Sequence, residues 1–374
     1  MDTGNVYCLT VNGSSMFAGT DSGGVHLTDN NWNSWTDINN GLPTGFITYS
    51  IAINGINIFA GTHGGGVYLS TNYGSSWAKV DSGLTANSVN TLAIYMNDIF
   101  AGTSENGMFL STNSGGSWAA VNNGLPSTAD VNSIAIKGNN VFAGTFGDGV
   151  YLSTNTGGSW IKLDTGLTNL NVDALSINGG NFFAGTYGGG VFLSTDNGAH
   201  WTAMDTGLTG YALDVSALAT TGDTIFAGTA GGVYVSLNNG GHWDLWNNTG
   251  FTDSASVYNL VISEDTLFAG TAGGVWKRAL SQVINHTGIK EINNISSDVT
   301  VYPNPALNNI TININNTKNE LNNVQIYDVV GNLVLEKKLA SNKTSVDISQ
   351  FSTGLYFLKV EGEKGVTVRK FIKE

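Results

Sequence analysis

The sequence predicts an all-β chain: a seven-bladed β-propeller over residues 1–280, a linker at 281–298 and a small Ig-like β-sandwich over 299–374. Three observations predict it. Phe-Ala-Gly-Thr occurs seven times, starting at Phe17, Phe59, Phe100, Phe142, Phe183, Phe226 and Phe268, at intervals of 41–43 residues. Each interval holds four short β-rich runs bounded by Gly, Asn and Asp. After Leu280 the repeat stops, and a polar stretch leads into a second set of alternating strands.

Within a repeat the runs follow in order. In the third they are 89–94, 98–102, 107–110 and 118–121, separated by a tight turn, a Gly-rich loop and an octet ending in Trp118. Four strands per 41–43 residues is the length of a propeller blade, and closing the ring removes most exposed sheet edges. A β-solenoid would repeat at a shorter period. Composition agrees. The 374 residues include 50 Gly and nine Trp, with 41% hydrophobic and only 11% charged side chains, so the chain is neither disordered nor helix-rich.

Charge is unevenly placed. Residues 1–280 carry five basic against 19 acidic side chains, a net of −14, whereas 281–374 carry ten against nine. The first part lacks the basic clusters that nucleic acid or an anionic membrane requires. Cys8 stands alone in an apolar strand pattern, as a buried small hydrophobe would. No apolar run is long enough for a transmembrane helix. No cofactor is implied, and five dispersed His do not suggest a metal site.

Six octets occur, ending at Trp35, Trp77, Trp118, Trp160, Trp201 and Trp243. Their third positions are Asn30, Asn72, Asn113, Asn155, Asp196 and Asn238, side chains that accept amide hydrogens within their own turn. Gly follows two residues later where φ > 0 is needed, except in the first octet, which has Trp32. The pattern Ser-x-Asn/Asp-x-Gly-x-x-Trp resembles the Asp-box (BNR) turn of sialidases and other propellers, including photosystem assembly factors and family 74 glucanases. The octet specifies a fold and not an activity. A sialidase would clamp its substrate carboxylate with three arginines. The predicted propeller holds only Arg278, and Glu105 and Glu264 are its only glutamates.

The loops after each Phe-Ala-Gly-Thr are Gly-rich but lead into strands, unlike phosphate-binding loops, which lead into helices. They vary in the residue after Thr: Asp21, His63, Ser104, Phe146, Tyr187, Ala230 and Ala272. The middle blades therefore offer Glu105 and Asp148 beside Phe146 and Tyr187, with Tyr211 entering the next blade. Three readings stand: a surface glycan or protein ligand held by the aromatics, a glycoside hydrolase with Glu105 and Asp148 as its acid pair, or plain loop variation.

The tail reads Tyr302-Pro303-Asn304-Pro305, then Ile326-Tyr327-Asp328-Val329-Val330-Gly331, Gly354-Leu355-Tyr356 and the basic-apolar end Lys370-Phe371-Ile372-Lys373. It resembles the type A C-terminal sorting domain of the type IX secretion system of Bacteroidetes-type bacteria. The resemblance implies export to the cell surface or medium, with residues 299–374 recognised by the translocon. The chain is thus expected to be a secreted or surface-displayed binding propeller. Met1-Asp2-Thr3-Gly4 lacks the basic start and apolar run of a signal peptide, although such cargo must cross the inner membrane. The same four residues recur at Met204-Asp205-Thr206-Gly207, at the end of an outer strand. With seven second strands but six octets, the expectation is an N-terminally truncated form with a three-stranded last blade.

Overall fold

Phe-Ala-Gly-Thr recurs because its Phe and Gly serve the contacts between neighbouring sheets and its Thr closes the loop that follows. The computed structural model describes residues 4–21, 24–29, 32, 34–246, 256–282, 299–314, 323–328, 332–339, 341–362 and 365–374. The chain divides into two units, Met1–Ile284 and Asn285–Glu374. Among the described residues, the first unit holds six four-stranded antiparallel sheets and one of three strands. In the third sheet, Asp98–Thr103 pairs with Val89–Tyr95 on one side and Met108–Ser111 on the other, and Ala119–Ala120 lies outermost.

Phe17, Phe59, Phe100, Phe142, Phe183, Phe226 and Phe268 are all at most 1% exposed, packed between adjacent sheets. The Gly admits the next sheet's first strand: a Cβ on Gly102 would lie 2.7 Å from Val131 Cγ1. The buried Thr hydroxyl closes the following loop, as Thr103 Oγ1 does by donating to the Gly107 carbonyl at 2.7 Å. The seven first strands touch in sequence, and the last, Val257–Ser263, returns to the first, Val6–Asn12. A Cβ on Gly270 would meet the Val6 carbonyl oxygen at 2.7 Å, so the closing seam repeats the others. Cys8 is buried at the joint between the first and second sheets, its thiol pushed up to about 12 by desolvation, against a smaller lowering by the Gly19 backbone.

The octets join neighbouring sheets. Asn72 Oδ1 accepts the Ser76 amide and the Ser70 hydroxyl, each at 2.9 Å, while Ser70 Oγ accepts the Gly74 amide at 2.8 Å. Gly74 has φ +87°, and the residue before it, Tyr73, also has φ +58°. Trp32, which replaces the Gly in the first octet, adopts φ +65°. In the fifth octet Asp196 takes the Asn role and is held down at about 2, first by the hydrogen bond from the His200 side chain. Asn30 lies outside the described residues. The Trp reaches back: Trp77 Nε1 donates to the Ile38 carbonyl at 2.6 Å and its amide donates to Asn40 O at 2.8 Å. Trp118, Trp160, Trp201 and Trp243 repeat both bonds. These five are 1–6% exposed, whereas Trp35 is half-buried.

The sixth outer strand, Asp244–Leu245, ends at Trp246, whose carbonyl would receive the next octet Trp. Arg278 takes that place: Nη1 donates to Trp246 O at 3.3 Å and the guanidinium lies 4.8 Å from the Trp246 ring centroid. Its Nε donates to Gln282 Oε1 at 2.7 Å. Residues 1–3 and the rest of the expected linker, 283–298, lie outside the described residues. Replacing Arg278 by Ala removes a cation–π contact and two hydrogen bonds, one of them exposed, and is expected to cost about 1–2 kcal/mol. Arg278→Lys should recover less than half of the lost melting temperature, because a lysine lacks the planar fork.

In the second unit, the three-stranded sheet with Val299–Tyr302, Asn309–Ile314 and Lys343–Asp347 shares one core with a four-stranded sheet. Ile310 and Ile312 from the first and Val324, Ile326 and Leu358 from the second are fully buried in it. Two motifs distant in sequence meet here. Asn304 Oδ1 accepts the Ile372 amide at 2.9 Å and Ala306 N donates to Ile372 O at 2.8 Å. Asp328 Oδ1 accepts the Asn332 amide at 2.8 Å, closing the hairpin expected at that point.

Candidate ligand site at the channel mouth

Each of the seven first strands carries one extra residue near its start, where the pairing register shifts. These bulge residues are Tyr7, Tyr49, Asn90, Asn132, Asp173, Ser216 and Tyr258. A bulge re-aims a side chain that regular alternation would place elsewhere. All seven line one cavity of about 660 Å³ on the ring axis, shared by residues from every first strand.

The ring is divided into two arcs. Tyr7 meets Tyr49 edge-on (5.1 Å, 89°) and Tyr258 at a tilt (4.8 Å, 31°), and Tyr49 reaches the His63 ring at 5.6 Å. Burial raises the Tyr49 and Tyr258 phenols above their ordinary range, with the neighbouring Tyr7 adding to each, so both rings stay neutral. Opposite lies a polar rail. Asn90 Nδ2 donates to Asn132 Oδ1 at 3.0 Å, and Asn132 Nδ2 donates to Asp173 Oδ1 at 2.8 Å. Burial raises the Asp173 carboxyl, the Asn132 bond opposes this, and the Asp214 charge adds to it.

The loop residues named from sequence fall into two groups. His63 and Phe146 line the cavity, and Ser88 Oγ lies 3.1 Å from His63 Nδ1. Asp21 acts on the Tyr258 phenol from the rim. Phe146 and Tyr187 do meet, at 6.3 Å between ring centroids, and both are exposed, as is Tyr211 on the short turn Gly210–Leu213. Glu105 and Asp148 lie outside the cavity lining. Glu105, at φ +59°, is tied through its amide to Asp130 Oδ1 at 2.6 Å. Asp148 bears instead on Tyr151, a phenol raised first by burial, and on Lys162, whose main partner is Asp164. Among the described residues, no group of three His, Cys, Asp or Glu could hold a metal ion, and no helix is long and apolar enough to cross a membrane.

Sequence reasoning named loops on the cavity side of the ring and missed the bulge residues that line it. Their signal is present: each stands ten positions before the Phe of its repeat, as Tyr7 before Phe17 and Asp173 before Phe183. Six of the seven follow a Val, and one, Tyr49, follows Thr48. Variation at a fixed place in an otherwise uniform repeat marks the position that faces the cavity.

Residues 300–374 match the secretion system C-terminal sorting domain family. No curated protein matches the chain. PorZ of Porphyromonas gingivalis, described as an essential bacterial surface component of the type IX secretion system, superposes with TM-score 0.59 at 16% identity. That match covers 99% of this chain and 59% of PorZ, so the chain spans well under two thirds of its length. YCF48 from Cyanidioschyzon merolae aligns at 14% identity and TM-score 0.59, over 74% of this chain and 96% of its own. A GH74 enzyme of Niastella koreensis aligns at 18% identity and TM-score 0.56, over 74% and 43%. At these identities the three show a common fold. The chain is a β-propeller fused to a type IX secretion C-terminal sorting domain.

Proposed function

We propose that this is a secreted or cell-surface protein that acts by binding, its ligand engaged at the channel mouth of the propeller. The observation that carries the reading is the divided ring: a tyrosine arc faces an amide–carboxylate rail across one cavity, at the end where the loops vary. Aromatic walls with a few fixed polar groups are the usual make-up of a recognition site. The sorting tail supplies the route outward.

Catalysis by Glu105 and Asp148 has less support, because a glycosidase needs its two carboxyls to flank one bond. Here one residue is anchored on Asp130 and the other bears on Tyr151 and Lys162, both outside the cavity lining. A screen of surface glycans and peptides, followed by reducing-end release, separates the readings. Binding that weakens in Tyr49→Ala, without release, is the expected result. Release that disappears in both Glu105→Gln and Asp148→Asn would overturn it.

Export is tested apart from binding. Deleting residues 300–374 from the native gene should leave a folded propeller inside the cell envelope, at less than a tenth of the normal surface amount. Normal surface display of the deleted form would remove the assigned role of the tail.

A further inference from the structure

We propose that the channel mouth takes a cationic side chain, a lysine or arginine presented on a peptide segment of a protein partner, seated against the Tyr7–Tyr49 corner. The proposal rests on the binding reading above and names the ligand chemistry. Tyr7 and Tyr49 meet at 89° with centroids 5.1 Å apart and so form a corner, and Tyr258, tilted 31° at 4.8 Å, stacks on Tyr7 and holds it in place. Such a corner can present ring π density to one guest from more than one side, which favours a cation over a neutral group.

The surroundings agree in sign. Among the described residues lining the cavity none is a lysine or arginine, while Asp130 and Asp173 are both present. Asp21 and Asp214 act from just outside, on Tyr258 and Asp173 respectively. Asp173 is largely removed from water with one hydrogen bond from a neutral amide, so an arriving positive charge gains more there than in solvent. The net charge of −14 on residues 1–280 draws cations toward the ring from a distance.

A neutral sugar fits less well. Recognition of its hydroxyls would draw on the amide hydrogens of Asn90 and Asn132, and each side chain already commits one of its two to the rail. An anion would meet carboxylates with no basic partner but His63.

The test is titration of the full chain with octalysine by calorimetry, with octaglutamate and a neutral cello-oligosaccharide as comparisons. Octalysine should bind, and tetramethylammonium should compete where sodium at the same ionic strength does not. Tyr7→Ala and Tyr49→Ala should each weaken binding about tenfold, the scale of a desolvated cation–π contact. Tyr49→Phe, which keeps the ring, should bind within about twofold of wild type and guards against a folding artefact. Tyr187→Ala, outside the cavity lining, should bind as wild type. Failure of octalysine to bind would overturn the proposal. So would binding indifferent to the tyrosines and suppressed equally by sodium, which is diffuse attraction. Oligosaccharide binding lost in Tyr49→Ala would leave the site standing and overturn the cation.

Discussion

Replacing Trp77 by Ala lowers the stability of the propeller by about 3–5 kcal/mol, the range for emptying a buried aromatic site. The side chain is 6% exposed and packs with Phe17, Ile58 and Tyr68, residues of two adjacent sheets. Its indole also satisfies the Ile38 carbonyl at 2.6 Å, which the truncated side chain leaves without that donor. Asn72→Ala in the same octet removes bonds confined to one turn, and about 1–2 kcal/mol is expected. The difference separates two roles: Asn72 shapes the turn, while Trp77 ties one sheet to the sheet before it. Chemical denaturation of both variants measures it. Equal losses would mean that the Trp acts within its own turn only.

Much of this was legible in the sequence because the repeat isolates each requirement. A residue kept at all seven second strands serves a contact made seven times, as the Phe, Gly and Thr of Phe-Ala-Gly-Thr do. The octet was legible for the same reason: a Ser, an Asn or Asp, a Gly and a Trp at fixed spacing define one turn. Less legible were the links between repeats. Nothing local says that the Trp77 indole bonds to Ile38, or that Arg278 stands where a seventh octet Trp would reach. Those contacts depend on how neighbouring sheets are tilted, which periodicity does not encode.

The candidate site was half legible. Variable loops pointed to the face that holds the cavity, since His63 and Phe146 line it. Pairing Glu105 with Asp148 followed from loop position alone. The two loops stand on different sheets and have different partners: the Glu105 amide donates to Asp130, while Asp148 acts on Lys162 and Tyr151. The tyrosine arc was hidden because strand alternation assigns Tyr7, Tyr49 and Tyr258 to ordinary half-buried positions. A bulge in every first strand changes that assignment, and a bulge has no marker in a single repeat.

A glycine pair tests the tie between sheets from the opposite side. Gly124 follows the outer strand of one sheet and holds φ +89°, and a Cβ there would collide with the Trp160 carbonyl oxygen of the next. The same residue stretch receives that Trp: Asn123 O accepts the Trp160 amide at 2.8 Å and Val121 O accepts its indole at 2.7 Å. Gly41, Gly83, Gly166 and Gly207 meet Trp77, Trp118, Trp201 and Trp243 in the same way, so this close approach is a property of the joint. Gly138 is the control. It sits in the hairpin turn between Asp130–Lys137 and Asn140–Phe146 at φ +58°, with nothing within 4 Å of an added Cβ. Gly138→Ala therefore carries only the left-handed backbone cost of about 1–2 kcal/mol. Gly124→Ala carries that cost plus the displacement of a backbone carbonyl fixed by its neighbours, about 3–5 kcal/mol in all. If the two alanines lower the denaturation midpoint equally, backbone conformation alone governs both sites. The tight seat of each Trp on the preceding sheet would then contribute nothing to holding the ring closed.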